Sequence, residues 1–237
     1  GRTVVKLRFY VTTPIYYVND KPHIGSFYTT LIADILARWH RLKGEEVFFL
    51  TGTDENSQKN VDAARNAGKE VREYVDEMAR IWQETWRMLD ISSDDFVRTT
   101  EDRHQKAVYG FFRRVLERGD IYKGKYVGYY CVGCEAFLTK QDLVDGKCLI
   151  HKTEPMALEE ENYFFAASRY KQKLLKHIEQ NPDFILPDKR RSEVLEYLRT
   201  AFDDVSVSRQ KQEWGIPLPI DKSQRIYVWF DALINYL

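Results

Sequence analysis

Cysteine is scarce: the 237 residues contain three, Cys131, Cys134 and Cys148. An odd count excludes a framework in which every cysteine is paired in a disulfide. Long apolar runs are missing too. No stretch approaches the roughly 18 residues that a membrane-spanning helix needs, and no signal peptide is read at the start. Neither sign of charge is in excess, since Lys+Arg and Asp+Glu are 36 each and the net charge is zero. This balance does not point to a nucleic-acid binder, although a local basic patch fits inside a neutral total. Internal repeats and low-complexity tracts are absent. What remains is the profile of a soluble globular chain, 43% hydrophobic and 30% charged. Its length suffices for one large domain, or a domain with an insertion, and for a sizeable core. Aromatics, at 14%, are plentiful and suit ring-lined pockets.

Periodicity organises the chain. Residues 4–13, "VVKLRFYVTT", read as a buried strand that Pro14 ends. From Ser26 to Leu42 the apolar Phe27, Leu31, Ile35, Leu36 and Trp39 fall at helical spacing, with Ser26 as N-cap and Gly44 as the stop. "EVFFLTGT", 46–53, is a second strand. Strand, helix, strand is a βαβ unit of a parallel sheet, whose ligands bind beyond the carboxyl ends of the strands. Thr12–Ser26 and Thr51–Asp54 therefore share one rim. Two further helical stripes follow, Val71 to Leu89 and Ala107 to Leu116. From Gly119 the text changes to short aromatic strands with Gly124 at a turn, then the cysteines, then "EEENYFFAAS" as a strand. Helices over about 168–180 and 189–200, an alternating "DVSVSR" and a buried strand "RIYVWF" complete the pass. The fold class is α/β, a parallel-sheet core with an inserted module. The division is 1–117 and 225–237 for the core and 118–224 for the insertion.

The cysteines carry the most specific signal. "CVGCEAFLTKQDLVDGKCLIH" spaces Cys131 and Cys134 as C-x2-C, and Cys148 and His151 as C-x2-H. Two short-spaced pairs, each on a tight knuckle and joined by a hairpin, supply the corners of a tetrahedral ion. Gly133 and Gly146 lie where sharp turns are wanted. Three thiolates and an imidazole select zinc over harder cations, and four protein ligands make the site structural. The competing reading is three reduced buried cysteines beside an unrelated His. Grouping of every cysteine within 18 residues favours the metal and a reducing compartment.

The rim carries a second signal. His23 and Gly25 stand where the first helix begins. Unpaired N–H groups there favour phosphate, Gly25 allows close backbone approach, and His23 can donate a hydrogen bond. From these residues alone, capping and packing are the commoner explanation of the pair.

The longer text resembles a known family. "TTPIYYVNDKPHIGSFYTTLIADILARWHRLKGEEVFFLTGTDE" is similar to the opening of methionyl-tRNA synthetases, class I enzymes with a Rossmann-type core. "TGTDENSQK", the zinc knuckle, "SVSRQKQEWGIPLP" and "YVWFDALINY" resemble later family segments in the same order. The resemblance implies a core interrupted by a zinc-knuckle connective domain. It implies activation of methionine by ATP to methionyl-adenylate, with Mg as activator, and transfer to tRNA(Met) in the cytoplasm. Carried over, Ile15 and Tyr17 line the methionine pocket and Asp54 holds the α-ammonium. Tyr227, Trp229, Ala232, Leu233 and Tyr236 form its other wall. His23, Gly25 and Ser26 meet ATP, and Arg209 supports activation. The residues alone also allow Asp54 as a turn-former, Tyr227 and Trp229 as strand core, and Arg209 as a solvated strand-end charge.

Departures stand beside the resemblance. Ser26 occupies the place of the family's second signature His, and Asn56 and Ser57 that of a His-Gly pair. Neither a Lys-Met-Ser-Lys-Ser-type loop nor an anticodon-binding domain is found, so the chain reads as a fragment. Other readings are another class I synthetase, or a non-catalytic synthetase-like module that binds tRNA and zinc.

Overall fold

The structure, a computed structural model, describes residues 7–237. The strand expected over 4–13 is β1 (Arg8–Thr12), and residues 4–6 lie outside the described residues. Beyond Pro14 a short strand, β2 (Tyr16–Tyr17), leads to helix α1 (Ile24–Leu42) and strand β3 (Glu46–Asp54). β3 runs parallel to both: Arg8–Thr12 lie opposite Glu46–Leu50, and Tyr16 and Tyr17 opposite Thr53 and Asp54. Gly44, at φ 79°, ends α1 as the sequence suggests.

The apolar stripe read on α1 is not what the helix buries. Ser26, Thr30, Ala33, Asp34 and Ala37 face inward, whereas Ile35, Leu36 and Trp39 are exposed. Small side chains let the helix lie close against the sheet, where Ala33 and Ala37 meet Phe49.

Two of the next three elements have no counterpart in the sequence reading. Helix α2 (Gln58–Asn66) follows β3 directly. After helix α3 (Val71–Met88), strand β4 (Asp95–Arg98) pairs in parallel with Leu50–Thr53 on the far side of β3. α3 buries Tyr74, Val75, Met78, Trp82 and Trp86, which seal this layer around Val18. Each fully buried side chain of this size is worth roughly 1.5–3 kcal/mol.

Helix α4 (Asp102–Glu117) leads into the inserted module. Strand β5 (Ile121–Cys131) is one continuous element, so Gly124 is not at a turn. Gly124 lies opposite Asn162, and a Cβ there would sit 3.0 Å from the Phe164 ring. β6 (Ala136–Leu138) folds back on β5, and β7 (Leu143–Val144) and β8 (Lys147–Cys148) form a hairpin turned by Asp145 and Gly146. β9 (Met156–Phe165) covers the other edge of β5 along almost its whole length. Helices α5 (Lys171–Gln180) and α6 (Asp188–Thr200) follow.

"DVSVSR" divides between two sheets. β10 (Val205–Ser206) extends β9, and β11 (Ser208–Arg209) joins β12 (Pro217–Leu218) and β13 (Asp221–Ile226). The strand expected over "RIYVWF" ends at Ile226. Tyr227 caps helix α7 (Val228–Ala232), because Phe230 and Asp231 donate their N–H groups back to the Tyr227 carbonyl. Trp229 is therefore helical and not on a strand. The architecture is α/β, a Rossmann-type parallel sheet interrupted by an antiparallel, cysteine-bearing module. Among the described residues no helix is long and apolar enough to cross a membrane.

Candidate functional site

The carboxyl ends of β1, β2 and β3 form the rim expected from sequence, and Thr13 and Thr51 join it through a hydroxyl–hydroxyl hydrogen bond of 2.7 Å. At its edge His23, not Ser26, is the N-cap of α1. The Gly25 N–H donates to His23 Nδ1 at 3.0 Å, which leaves Nε2 to carry the imidazole proton. Gly25 is required for this fold-back: a Cβ there would lie 2.8 Å from the ring. Ser26 is buried and occupies the third helical position. Its hydroxyl accepts the His23 N–H at 2.9 Å and donates to the His23 carbonyl at 2.8 Å. Both hydroxyl contacts are part of the cap, on the inward side of the helix start. His23 itself is exposed on the rim.

Across the rim, Tyr17 and Asp54 are register partners. Asp54 is 2% exposed. Its Oδ1 and the Tyr17 hydroxyl are both buried and without a hydrogen-bond partner. Burial, then the neighbouring Asp231 charge, pushes the Asp54 carboxyl well above the usual carboxylate range. Burial, then Asp54, Glu135 and Tyr227, likewise raises the Tyr17 phenol. Burial raises the Tyr236 phenol, and the Asp54 charge adds to the rise. Tyr227 packs with Tyr17, Tyr130 and Phe137 in one aromatic cluster. Trp229 lies at its edge, 40% exposed, with Nε1 donating to the Glu135 carbonyl at 3.0 Å. Ala232 is buried and Leu233 exposed. Cavities of about 250 Å³ beside Tyr10 and Arg103, and about 490 Å³ beside Val127 and Lys140, include none of these residues.

Several buried polar groups make contacts that the sequence did not reveal. Asn56 is not on the rim surface: its amide donates to Asp231 Oδ2 at 2.7 Å, and His104 Nε2 bonds the other Asp231 oxygen at 2.5 Å. Glu55, fully buried, receives a bidentate Arg98 and the hydroxyls of Thr53 and Thr100. Arg209, expected to support activation or else to be a solvated strand-end charge, is not solvated. It is 6% exposed, pairs with Glu160 at 2.9 and 3.2 Å, and stacks 4.0 Å over the Tyr130 ring. Strand β11 turns it inward against β9, and a planar guanidinium satisfies a buried carboxylate and a ring face at once.

The residues expected to hold a metal converge. The donor atoms of Cys131, Cys134, Cys148 and His151 all lie within 4.8 Å of one another. Cys134 Sγ is 3.5 Å from Cys148 Sγ and 3.2 Å from His151 Nδ1. Bonds of about 2.3 Å to one tetrahedral ion put sulfurs roughly 3.8 Å apart, so the cage fits zinc. Gly133 is needed for packing, not for its φ: a Cβ would meet the His151 ring at 2.6 Å. Main-chain N–H groups of His151 and Ile150 draw the Cys148 thiol down to about 6, towards the thiolate that binds metal.

A Rossmann-type rim with a buried acid beside a tyrosine, and a Cys3His cluster able to hold a metal in an inserted module, defines the class: an α/β core with a cysteine-bearing insertion. Residues 9–148 and 139–237 match the family described as tRNA synthetases class I (M), and the chain belongs to that family. It is 48% identical over 235 residues to a methionine–tRNA ligase of Thermotoga maritima, covering 98% of this chain and 37% of that protein. It is 47% identical to the Streptomyces coelicolor ligase, covering 96% of this chain and 44% of that one. The chain thus spans less than half the length of these relatives. The Mycobacterium tuberculosis methionyl-tRNA synthetase in complex with methionyl-adenylate superposes with a TM-score of 0.94 at 40% identity, over 97% of this chain and 46% of that one. The apo form of that enzyme gives 0.80 at 38% identity, over 98% of this chain and 45% of that one.

Proposed function

We propose that the chain is the catalytic and metal-insertion region of a methionine–tRNA ligase. The observation that carries this reading is Asp54, a buried carboxylate with a free oxygen, paired in register with Tyr17, whose phenol is also buried without a partner. A single cation with N–H donors satisfies such a pair, and the α-ammonium of an amino acid is one. A thioether suits the surrounding rings of Tyr17, Tyr227, Trp229 and Tyr236, with Ile15, Ala232 and Leu233 completing the wall. His23, with Nε2–H directed away from its cap, and Gly25 would meet the phosphates of ATP.

In the reaction, a methionine carboxylate oxygen bonds the α-phosphorus of ATP, and the bond from that phosphorus to the bridging oxygen breaks. Pyrophosphate leaves and methionyl-adenylate remains. The terminal ribose hydroxyl of tRNA(Met) then takes the acyl group and AMP departs. The chain supplies position and charge for these steps and no protein nucleophile. Mg bound with ATP would neutralise phosphate charge. Zinc at Cys131, Cys134, Cys148 and His151 would brace the insertion. Arg209 would act through Glu160 and Tyr130 and not by touching substrate. The core comprises 1–117 and 225–237, the insertion 118–224, and the compartment is cytoplasmic.

Methionine-dependent ATP–pyrophosphate exchange on the full-length protein tests this, with Asp54→Ala expected to abolish it. A protein that binds methionine but shows no exchange would instead be a non-catalytic module that binds tRNA and metal. The altered positions 26, 56 and 57 are what favour that second reading.

A further inference from the structure

The two metal knuckles share a turn. The residue after each pair, Glu135 after Cys134 and Lys152 after His151, adopts the left-handed backbone, at φ 49° and 58°. Lys152 is exposed, as a charged residue in that conformation normally is. Glu135 is 1% exposed. A buried carboxylate on a left-handed residue combines two unfavourable features, and both persist only where contacts hold them.

Glu135 makes such contacts with three elements. Its carboxylate accepts the Tyr130 hydroxyl of β5 at 2.6 Å and the Lys59 N–H of α2 at 2.8 Å. Its main-chain carbonyl accepts the Tyr227 hydroxyl at 2.5 Å and Trp229 Nε1 at 3.0 Å. The Ser57 cap of α2 makes no side-chain hydrogen bond, so Glu135 supplies from the insertion the acceptor that this helix start lacks. α2 begins directly beyond Asp54.

We propose that Glu135 is a positioning residue of the amino-acid site: it transmits the geometry of the metal knuckle to Tyr227, Trp229 and the start of α2. This rests on the reading above of Tyr227 and Trp229 as methionine-pocket residues. It follows that metal in the cage and methionine in the pocket are coupled. The left-handed turn that presents the Glu135 carbonyl to both donors is fixed by the ligand immediately before it.

The test uses the full-length protein. Glu135→Ala should keep one metal per chain by elemental analysis, yet raise both the methionine Kd and the methionine KM in exchange by about tenfold or more. The KM for ATP should stay within about twofold. Glu135→Gln, which keeps an acceptor for Lys59 and a partner for Tyr130, should restore most of the affinity. Chelation of the wild type should weaken methionine binding in step with metal loss. It should also shift the Trp229 emission, read as the difference from Trp229→Phe. A metal-loaded Glu135→Ala protein with wild-type methionine affinity overturns the proposal, as does a chelated protein whose affinity is unchanged. If Glu135→Ala does not fold, Tyr130→Phe replaces it: a several-fold rise in Kd supports the coupling, and no rise overturns it. A wild type that binds no methionine removes the pocket reading itself, and is recognised before any variant is compared.

Discussion

Tyr17 and Asp54 face each other across the β2–β3 pair, and each holds a buried oxygen with no partner. Two such groups side by side are costly in a finished core, where about nine in ten buried polar atoms are satisfied. Their pairing is what makes the carboxyl-end rim of this sheet a candidate cation site.

The raised Asp54 carboxyl gives a pH dependence with a defined sign. Between the ordinary carboxylate value and the raised one, the folded state binds more protons than the unfolded state. Stability therefore falls as pH rises through that window. Asp54→Asn should flatten this slope in urea midpoints taken across pH. Asp231, also raised by burial, should leave a residue of it. An ammonium ligand favours the ionised carboxylate. Methionine affinity should therefore increase with pH across the same window and release protons, visible as buffer-dependent heats in calorimetry.

Ser26 separates capping from catalysis. Ser26→Ala should cost about 1 kcal/mol of stability, the usual worth of a cap interaction. Because the hydroxyl turns inward to the His23 main chain, the KM for ATP should not change. His23→Ala should raise that KM. A rise of several-fold for Ser26→Ala would restore the serine to the phosphate side.

Arg209 and Glu160 form a buried pair, their side chains 8% and 0% exposed. Arg209→Met alone should destabilise by roughly 3–5 kcal/mol, since it strands a buried carboxylate. Adding Glu160→Leu should recover much of that loss. A single mutant that melts with the wild type would mean that the pair opens to solvent.

Metal removal should be felt first in the insertion. Chelator, or Cys134→Ser, should lower its melting point and speed amide exchange in β5, β6 and the β7–β8 hairpin. The parallel sheet should hold its protection longer. Elemental analysis of protein never exposed to chelator should return one zinc per chain.

The sequence carried the repetitive and the local parts of this architecture. β1, α1 and β3 were readable because strand and helix periods change sharply at Pro14 and Gly44. The knuckles were readable because each pair keeps a C-x2-C or C-x2-H spacing that is visible in the text. β4 escaped because four residues, "DFVR", are too few for alternation to register. α2 escaped because "QKNVDAARN" is mostly polar and its start is capped from a distant element. The stripe on α1 misled because a helix seated closely on a sheet buries its alanines and threonines. The contacts of Asp231, His104, Asn56 and Glu135 were invisible for another reason. Each becomes intelligible only through a partner between 76 and 175 positions away.

One feature of the sheet bears on handling. Among the described residues β1 is hydrogen-bonded only to β3, and Tyr10 and Phe48 lie open near it, as does the outer apolar side of α1. An open strand beside uncovered rings is a template for another chain. Prepared by itself, this polypeptide should be colloidally fragile, self-associating in proportion to concentration and clearing with mild detergent or arginine. Assays of the pocket are therefore better run on the full-length protein.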